Sequence, residues 1–294
     1  MSLVGIIPPL VTPIEADGEA IDAEALSAYV ESLDPHVHGL FPCGSTGEFP
    51  SLTREQRRTV VEIVSDASAD DTPILAGCGG TSVGGVIDHV RDAADAGADA
   101  AVVVTPYYFS GSKRGLRSFF EGVADEAPLP IVLYNIPAYT GRTLPVELVS
   151  ELAEHRTVAG IKDSSGDLGY HHRVLASTPS SFAVLQGTSH LAAAALDLGC
   201  DGVTPGVANV FPEEMVRIYD RHRAGEREDA LELMERFVHP LTDAISTMPT
   251  APAFKRLLAL AGHDVGPPLP PLSPLSRDDA ATLEREYEAI VETM

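Results

Sequence analysis

At 294 residues the chain is long enough for one large domain with a full core, and 43 acidic against 20 basic residues leave a formal net charge of −23. That balance lacks the basic footprint needed to neutralise phosphates, which excludes nucleic-acid binding. No apolar run reaches the roughly 18 residues that cross a bilayer and no basic region followed by an apolar stretch opens the chain, so no membrane association and a soluble, cytoplasmic protein are expected.

Residues 3–10 read as an apolar strand closed by Pro8 and Pro9, followed by a turn at Asp17-Gly18 and a helix over 24–33. A second strand, 39–42, feeds Cys43-Gly44-Ser45-Thr46-Gly47-Glu48. Thr53 with Gln56 makes a capping box for a helix to about 69. The third strand is 73–77, after which Ser82 opens a helix that ends near Gly97. The fourth, 100–105, leads into Pro106-Tyr107-Tyr108 and a helix over 115–126.

The fifth strand, 129–134, ends in Tyr134-Asn135-Ile136-Pro137, and a helix over 145–153 follows. The sixth is the run from Val158 that delivers Lys162; a helix over 168–176 leads to the seventh, 182–186. Ser189 is placed to cap an alanine-rich helix to Leu198, and 201–204 is the eighth strand. Eight strand–helix units with short connections predict a closed parallel (β/α)8 (TIM) barrel of the α/β class, with an open doubly wound sheet as the alternative. Beyond it the reading is helical, over 227–245, 251–260 and 277–292, interrupted by a proline-rich linker at 266–274. The expected organisation is therefore a catalytic barrel over 1–225 and a C-terminal helical appendage over 226–294.

Lys162 stands out within this pattern. The chain has only Lys113, Lys162 and Lys255, and Lys162 alone closes an apolar strand. Desolvation lowers an ammonium pKa, and a neutral amine attacks ketones, so Schiff-base chemistry is possible there. The competing reading is an ion pair with Asp163. In a parallel barrel the strand ends share one rim, so Tyr134, Ser45, Thr46 and Tyr108 should converge on the same mouth. Phenols joined through a hydroxyl form a proton relay, and the Gly44–Gly47 turn offers hydroxyls and N–H groups to a carboxylate.

Other features are weaker. Gly77-Cys78-Gly79-Gly80 suits a phosphate cradle but lacks both the third fingerprint glycine and a P-loop lysine, which favours a structural role. The histidine pairs 36/38 and 171/172 have no convincing ligand geometry, so no metal is expected. Cys43, Cys78 and Cys200 suggest neither a disulfide framework nor a zinc knuckle. Dispersed carboxylates with few lysines suit a surface adapted to high salt, a halophilic character.

Taken together, Pro9-Leu10-Val11-Thr12-Pro13, Gly44-Ser45-Thr46-Gly47-Glu48, Thr105-Pro106-Tyr107-Tyr108, Tyr134-Asn135-Ile136-Pro137 and Gly160-Ile161-Lys162-Asp163 resemble the dihydrodipicolinate synthase and N-acetylneuraminate lyase superfamily of pyruvate-dependent class I aldolases. The resemblance covers nearly the whole chain. It implies a Schiff base between Lys162 and pyruvate or a 2-keto acid, with Tyr134 as acid/base and Ser45 linking it to Tyr108 from a neighbouring subunit. It implies that Ser45 and Thr46 hold the carboxylate and that Gly187 and Thr204 line the pocket. No cofactor and no metal are implied, and the assembly is a homotetramer, a dimer of dimers.

The resemblance also bears on the aldehyde. Dihydrodipicolinate synthases carry an arginine two residues after the motif proline, where this chain has Tyr139, and a phenol cannot replace a bidentate guanidinium. Arg142 is close by as a substitute. Sialic acid lyases carry acidic residues after the strand-seven glycine, whereas Thr188 and Ser189 follow Gly187. The similarity to 2-keto-3-deoxygluconate aldolases is therefore preferred, with lysine-pathway condensation as the alternative and Lys113, Arg114 and Arg142 as candidates for a substrate phosphate. A metal-dependent aldolase or phosphate-binding isomerase using Glu48 and a catalytically silent barrel complete the possibilities.

Overall fold

Short apolar runs that alternate with amphipathic stretches fold here as a parallel sheet curled on itself, in a computed structural model that describes residues 3–109 and 111–294. Seven regular strands form it: β1 (Gly5–Ile6), β2 (Leu75–Gly77), β3 (Ala100–Val104), β4 (Ile131–Asn135), β5 (Val158–Asp163), β6 (Ala183–Gln186) and β7 (Gly202–Val203). Their order is β1-β7-β6-β5-β4-β3-β2, every pair parallel.

The eighth position is filled differently from the expectation. Residues 39–42 form single parallel bridges, Pro9 with Phe41 and Leu40 with Ile74. Phe41 N donates to Pro8 O at 3.0 Å and Leu75 N to Leu40 O at 2.9 Å, so this segment joins β1 to β2 and closes the barrel. It is no regular strand because Pro8, Pro9 and Pro42 supply no N–H to a ladder. Closure rules out the open doubly wound sheet.

Helices surround the sheet: α1 (Ala23–Leu33), α2 (Arg54–Ala67), α3 (Val83–Asp95), α4 (Lys113–Glu126), α5 (Pro137–Thr140), α6 (Val146–Ala153), α7 (Leu168–Ser177), α8 (Ala192–Asp197) and α9 (Pro212–Arg223). The capping box of Thr53 and Gln56 starts α2 as expected. Ser189 does not cap α8; it opens a 3-10 turn, Ser189–Leu191, that precedes it. Val, Leu, Ile and Phe on the inner helix faces and on the strands make one continuous core.

The C-terminal helices are α10 (Arg227–Leu233), α11 (His239–Ile245), α12 (Thr250–Leu260) and α13 (Arg277–Val291). The expected helix over 227–245 is broken by a π-helical turn, Met234–Val238. Pro240 explains it: its ring would clash with the carbonyl four residues back in a regular α-helix, and a wider turn relieves the clash.

Exposed arginines are already matched to carboxylates, Arg54 to Asp88 and Asp92, Arg58 to Glu62, Arg91 to Glu126. Subtracting 20 cations from 43 carboxylates leaves at least 23 without a partner charge, and their mutual repulsion is screened by salt. The melting temperature in molar NaCl should therefore exceed that in dilute buffer by about 5 °C or more, the effect of roughly 2 kcal/mol in a chain of this size. A salt-independent melting curve would refute the assignment of a salt-adapted surface.

Candidate active site

Tyr134 lies opposite Lys162 and Asn135 opposite Asp163 in the β4–β5 register. Side chains alternate along a strand, so Tyr134 and Lys162 enter the barrel while Asn135 and Asp163 face the helix layer. There Asn135 Nδ2 donates to Asp163 Oδ1 at 2.9 Å, Ser165 N donates to the same oxygen at 3.0 Å, and His171 Nδ1 sits 3.2 Å from Asp163 Oδ2. Asp163 is fully engaged away from Lys162. The ion-pair reading of the lysine therefore fails.

Lys162 is 4% exposed, with its Nζ 4.6 Å from the ring centroids of both Phe41 and Tyr134. Burial alone pulls its pKa down to about 7, so near neutrality a large share of the amine is uncharged. Two ring faces compensate the charged form partially and leave the neutral form unhindered.

Tyr134 is also buried, which pushes its phenol up to about 12 and keeps it a proton donor at neutral pH. The hydroxyls of Ser45 and Ser164 offset part of that rise. Ser45 Oγ stands 3.5 Å from the Tyr134 oxygen, at the outer limit of a hydrogen bond. Ser164 Oγ is buried without a hydrogen bond of normal geometry. Sequence reasoning passed over Ser164, although alternation from Gly160 through Lys162 already places it on the inner face.

Gly187 closes the other side of the amine. A Cβ there would lie 1.9 Å from Ser164 Oγ and 2.9 Å from Lys162 Cε, so any side chain would collide with the lysine stem. Thr46 is buried beside Ser45. Thr204 is buried as well, and its N–H donates to Gln186 O at 2.7 Å, which fixes its backbone at the end of β7.

Above this layer opens a cavity of about 340 Å³, reached past Ser45. Tyr107, Ile136, Tyr139 and Thr140 line one side, Pro249, Thr250, Ala251, Pro271 and Leu272 the other. The start of α12 and the proline-rich segment thus build a third of the wall, which no local pattern announces. Tyr139 hydrogen-bonds Thr250 through the two hydroxyls at 3.1 Å. Arg142 does not line the cavity, but its Nη1 is buried two residues from Thr140 and has no acceptor among the described residues. Lys113 pairs with Glu147 at 3.9 Å.

Tyr108 is not brought in. It is 82% exposed beside Phe109, itself 80% exposed, with the rings edge to face at 5.1 Å. Convergence of every hydroxyl on one mouth within one chain therefore fails at this residue.

Glu48 is unavailable as a metal-site acid, being paired with Lys255 at 3.0 Å. Among the described residues no three His, Cys, Asp or Glu side chains are grouped to hold a metal. The glycine-rich loop after β2 is explained by packing: a Cβ on Gly77 would lie 1.8 Å from the Cys43 carbonyl. Among the described residues no helix is long and apolar enough to cross a membrane.

A family model described as the dihydrodipicolinate synthetase family matches residues 2–290. An uncharacterized DapA-like lyase of Halobacterium salinarum is 37% identical over 287 residues, 97% of this chain and 93% of that one. A 4-hydroxy-tetrahydrodipicolinate synthase of Methanopyrus kandleri is 36% identical over 288 residues, covering 97% and 96%. Among solved structures, dihydrodipicolinate synthase from Cyanidioschyzon merolae with lysine bound superposes with a TM-score of 0.95 at 28% identity, covering 99% of each chain. YagE, a prophage protein of the dihydrodipicolinic acid synthase family from E. coli K12 in complex with pyruvate, gives 0.93 at 32%, covering 98% and 99%.

Proposed function

The chain belongs to the dihydrodipicolinate synthetase family and is a lyase, and from that we propose that it joins pyruvate to a small aldehyde through a Schiff base on Lys162. The observation that carries this reading is one buried amine with a pKa near 7, held between two rings and facing a protonated phenol. Its lone pair attacks the ketone carbon, Tyr134 donates a proton to the departing oxygen, and water leaves as the imine forms. The Tyr134 phenolate left behind takes a methyl proton to give an enamine, whose carbon attacks the aldehyde while that proton passes to the new alkoxide. Water then adds back to the imine to release the product and the free amine. In this reading Ser45 and Thr46 hold the carboxylate, and Gly187 leaves the room the lysine needs.

Ser45 also lies between Tyr134 and the cavity, as a relay requires. Tyr108 completes that relay only from another copy of the chain, and its exposure together with Phe109 supports a homo-oligomer, a dimer of dimers. No metal or cofactor enters this scheme.

For the aldehyde, the relatives shift the balance from the sugar acid preferred on sequence grounds. Aspartate semialdehyde is the better supported partner, because chains such as that of Methanopyrus kandleri, matched over almost their full length, are 4-hydroxy-tetrahydrodipicolinate synthases. Arg142, with a buried guanidinium nitrogen that finds no acceptor among the described residues, supports an acidic aldehyde. A second reading, cleavage of a 2-keto-3-deoxygluconate-type acid, is favoured by one observation: among the described residues no lysine or arginine lines the cavity, whereas Tyr139, Thr140 and Thr250 present hydroxyls.

A panel pairing pyruvate with aspartate semialdehyde, glyceraldehyde, glyceraldehyde 3-phosphate and N-acetylmannosamine separates these. The first should be consumed at least about tenfold faster, a difference of roughly 1.4 kcal/mol in transition-state binding. Faster use of either glyceraldehyde substrate would assign the sugar-acid reaction instead. A preference for N-acetylmannosamine would refute both.

A further inference from the structure

Of the pairs that lysine and arginine form with carboxylates among the described residues, only Glu48 with Lys255 is buried on both sides, at 1% and 4% exposure. The scheme above uses neither residue. Glu48 Oε1 lies 3.0 Å from Lys255 Nζ without an aligned hydrogen bond, so the attraction is chiefly between charges. Backbone groups anchor each partner: Leu269 N donates to Glu48 Oε2 at 2.7 Å, and Lys255 Nζ donates to Pro267 O at 2.6 Å. Ser51 Oγ adds a parallel tie to Pro270 O at 3.0 Å. Three segments distant in sequence therefore meet here: the turn after residue 43, α12 and the proline-rich strap over 266–274.

Glu48 sits at the end of the turn that carries Ser45 and Thr46, in the left-handed region with φ 57°. Such a backbone is costly for a side-chain-bearing residue and persists only where its surroundings hold it. The turn closes on itself through Glu48 N to Ser45 O at 3.2 Å and Phe49 N to Gly44 O at 3.3 Å, while Thr12 Oγ1 donates to Gly47 O at 2.8 Å. Ser45 Oγ then reaches Tyr134 at 3.5 Å, where a small displacement of the turn breaks the contact. A buried ion pair is seldom the most stable filling for its space, and a defined geometry is the better reason for keeping one.

We propose that Glu48 and Lys255 form a latch through which the proline-rich strap holds the Ser45–Thr46 turn in register with Tyr134, which makes both of them positioning residues. The role of Ser45 in this proposal rests on the Schiff-base reading. The latch also couples the two walls of the cavity, since Glu48 lines it beside Pro271 and Leu272.

The test compares full-length Glu48→Gln, Lys255→Met and the double variant with wild type by three readouts: turnover, borohydride trapping of pyruvate, and hydrogen exchange of the amides of Glu48, Phe49, Ser51 and Leu52. The single variants should still trap pyruvate on Lys162, exchange these amides faster and lose turnover by about 10- to 100-fold, as small misplacements do. The double variant leaves no unpaired buried charge, so it should regain the lost thermal stability without regaining turnover. That keeps the test available if a single variant fails to fold. Unchanged amide protection, or recovery of turnover together with stability in the double variant, overturns the latch. Failure of wild type to trap pyruvate sinks the Schiff-base reading instead, and amide exchange then decides the latch independently.

Discussion

Lys162→Met should lose turnover by about 10⁴-fold or more, the scale seen when a nucleophile is removed, and should give no borohydride-stabilised pyruvate adduct. The same variant should melt at a higher temperature than wild type. A lysine whose pKa falls from 10.5 to about 7 on folding binds a proton less readily in the folded state than in the unfolded chain. The penalty is therefore full below about pH 7 and fades as pH rises towards the unfolded value near 10.4; at neutrality it is on the order of several kcal/mol. Methionine fills similar space without a charge to desolvate. Lost activity with gained stability is a signature that a merely structural lysine would not give, because deleting a structural partner destabilises. In wild type, trapping should accelerate as pH rises through about 7, where the amine loses its proton. An adduct on Lys113 or Lys255, the only other lysines, would overturn the assignment.

The barrel was legible because each strand is a short apolar run bounded by turn residues, a signal that survives without tertiary information. Lys162 and Tyr134 were legible for the same reason: both end such runs, and parallel strands share a rim. What escaped was set by contacts remote in sequence. Leu269 N on Glu48, Thr250 on Tyr139 and Pro270 O on Ser51 join positions more than 100 residues apart, so neither periodicity nor spacing encodes them. The direction of Tyr108 is a different case, since in the proposed homo-oligomer a neighbouring copy rather than this chain decides where that exposed ring packs. Pro240 was visible inside the expected 227–245 helix and should have divided it. Residues 39–42 were correctly placed between β1 and β2, but the prolines around them reduce the strand to isolated bridges.

Tyr134→Phe should cut turnover by about 10²- to 10⁴-fold, the usual contribution of a positioned acid or base, while changing stability little. The phenyl ring keeps its packing against Phe41, with centroids 6.4 Å apart, and its face towards Lys162 Nζ. Only the hydroxyl is lost, and its contacts are marginal, with Ser45 at 3.5 Å and Ser164 beside it without normal hydrogen-bond geometry. Burial alone sets the Lys162 pKa, so the acid limb of the pH–rate profile should stay near 7 in the variant while the plateau falls. Imine formation should become slow yet still occur, since the nucleophile is intact, and long incubation with borohydride should label Lys162 fully. Ser45→Ala should cost less than Tyr134→Phe, because a contact at 3.5 Å transmits protons weakly until substrate tightens the site. Turnover of Tyr134→Phe close to that of wild type, with the same acid limb, would mean that another group donates the proton, and the buried Ser164 hydroxyl is the nearest candidate.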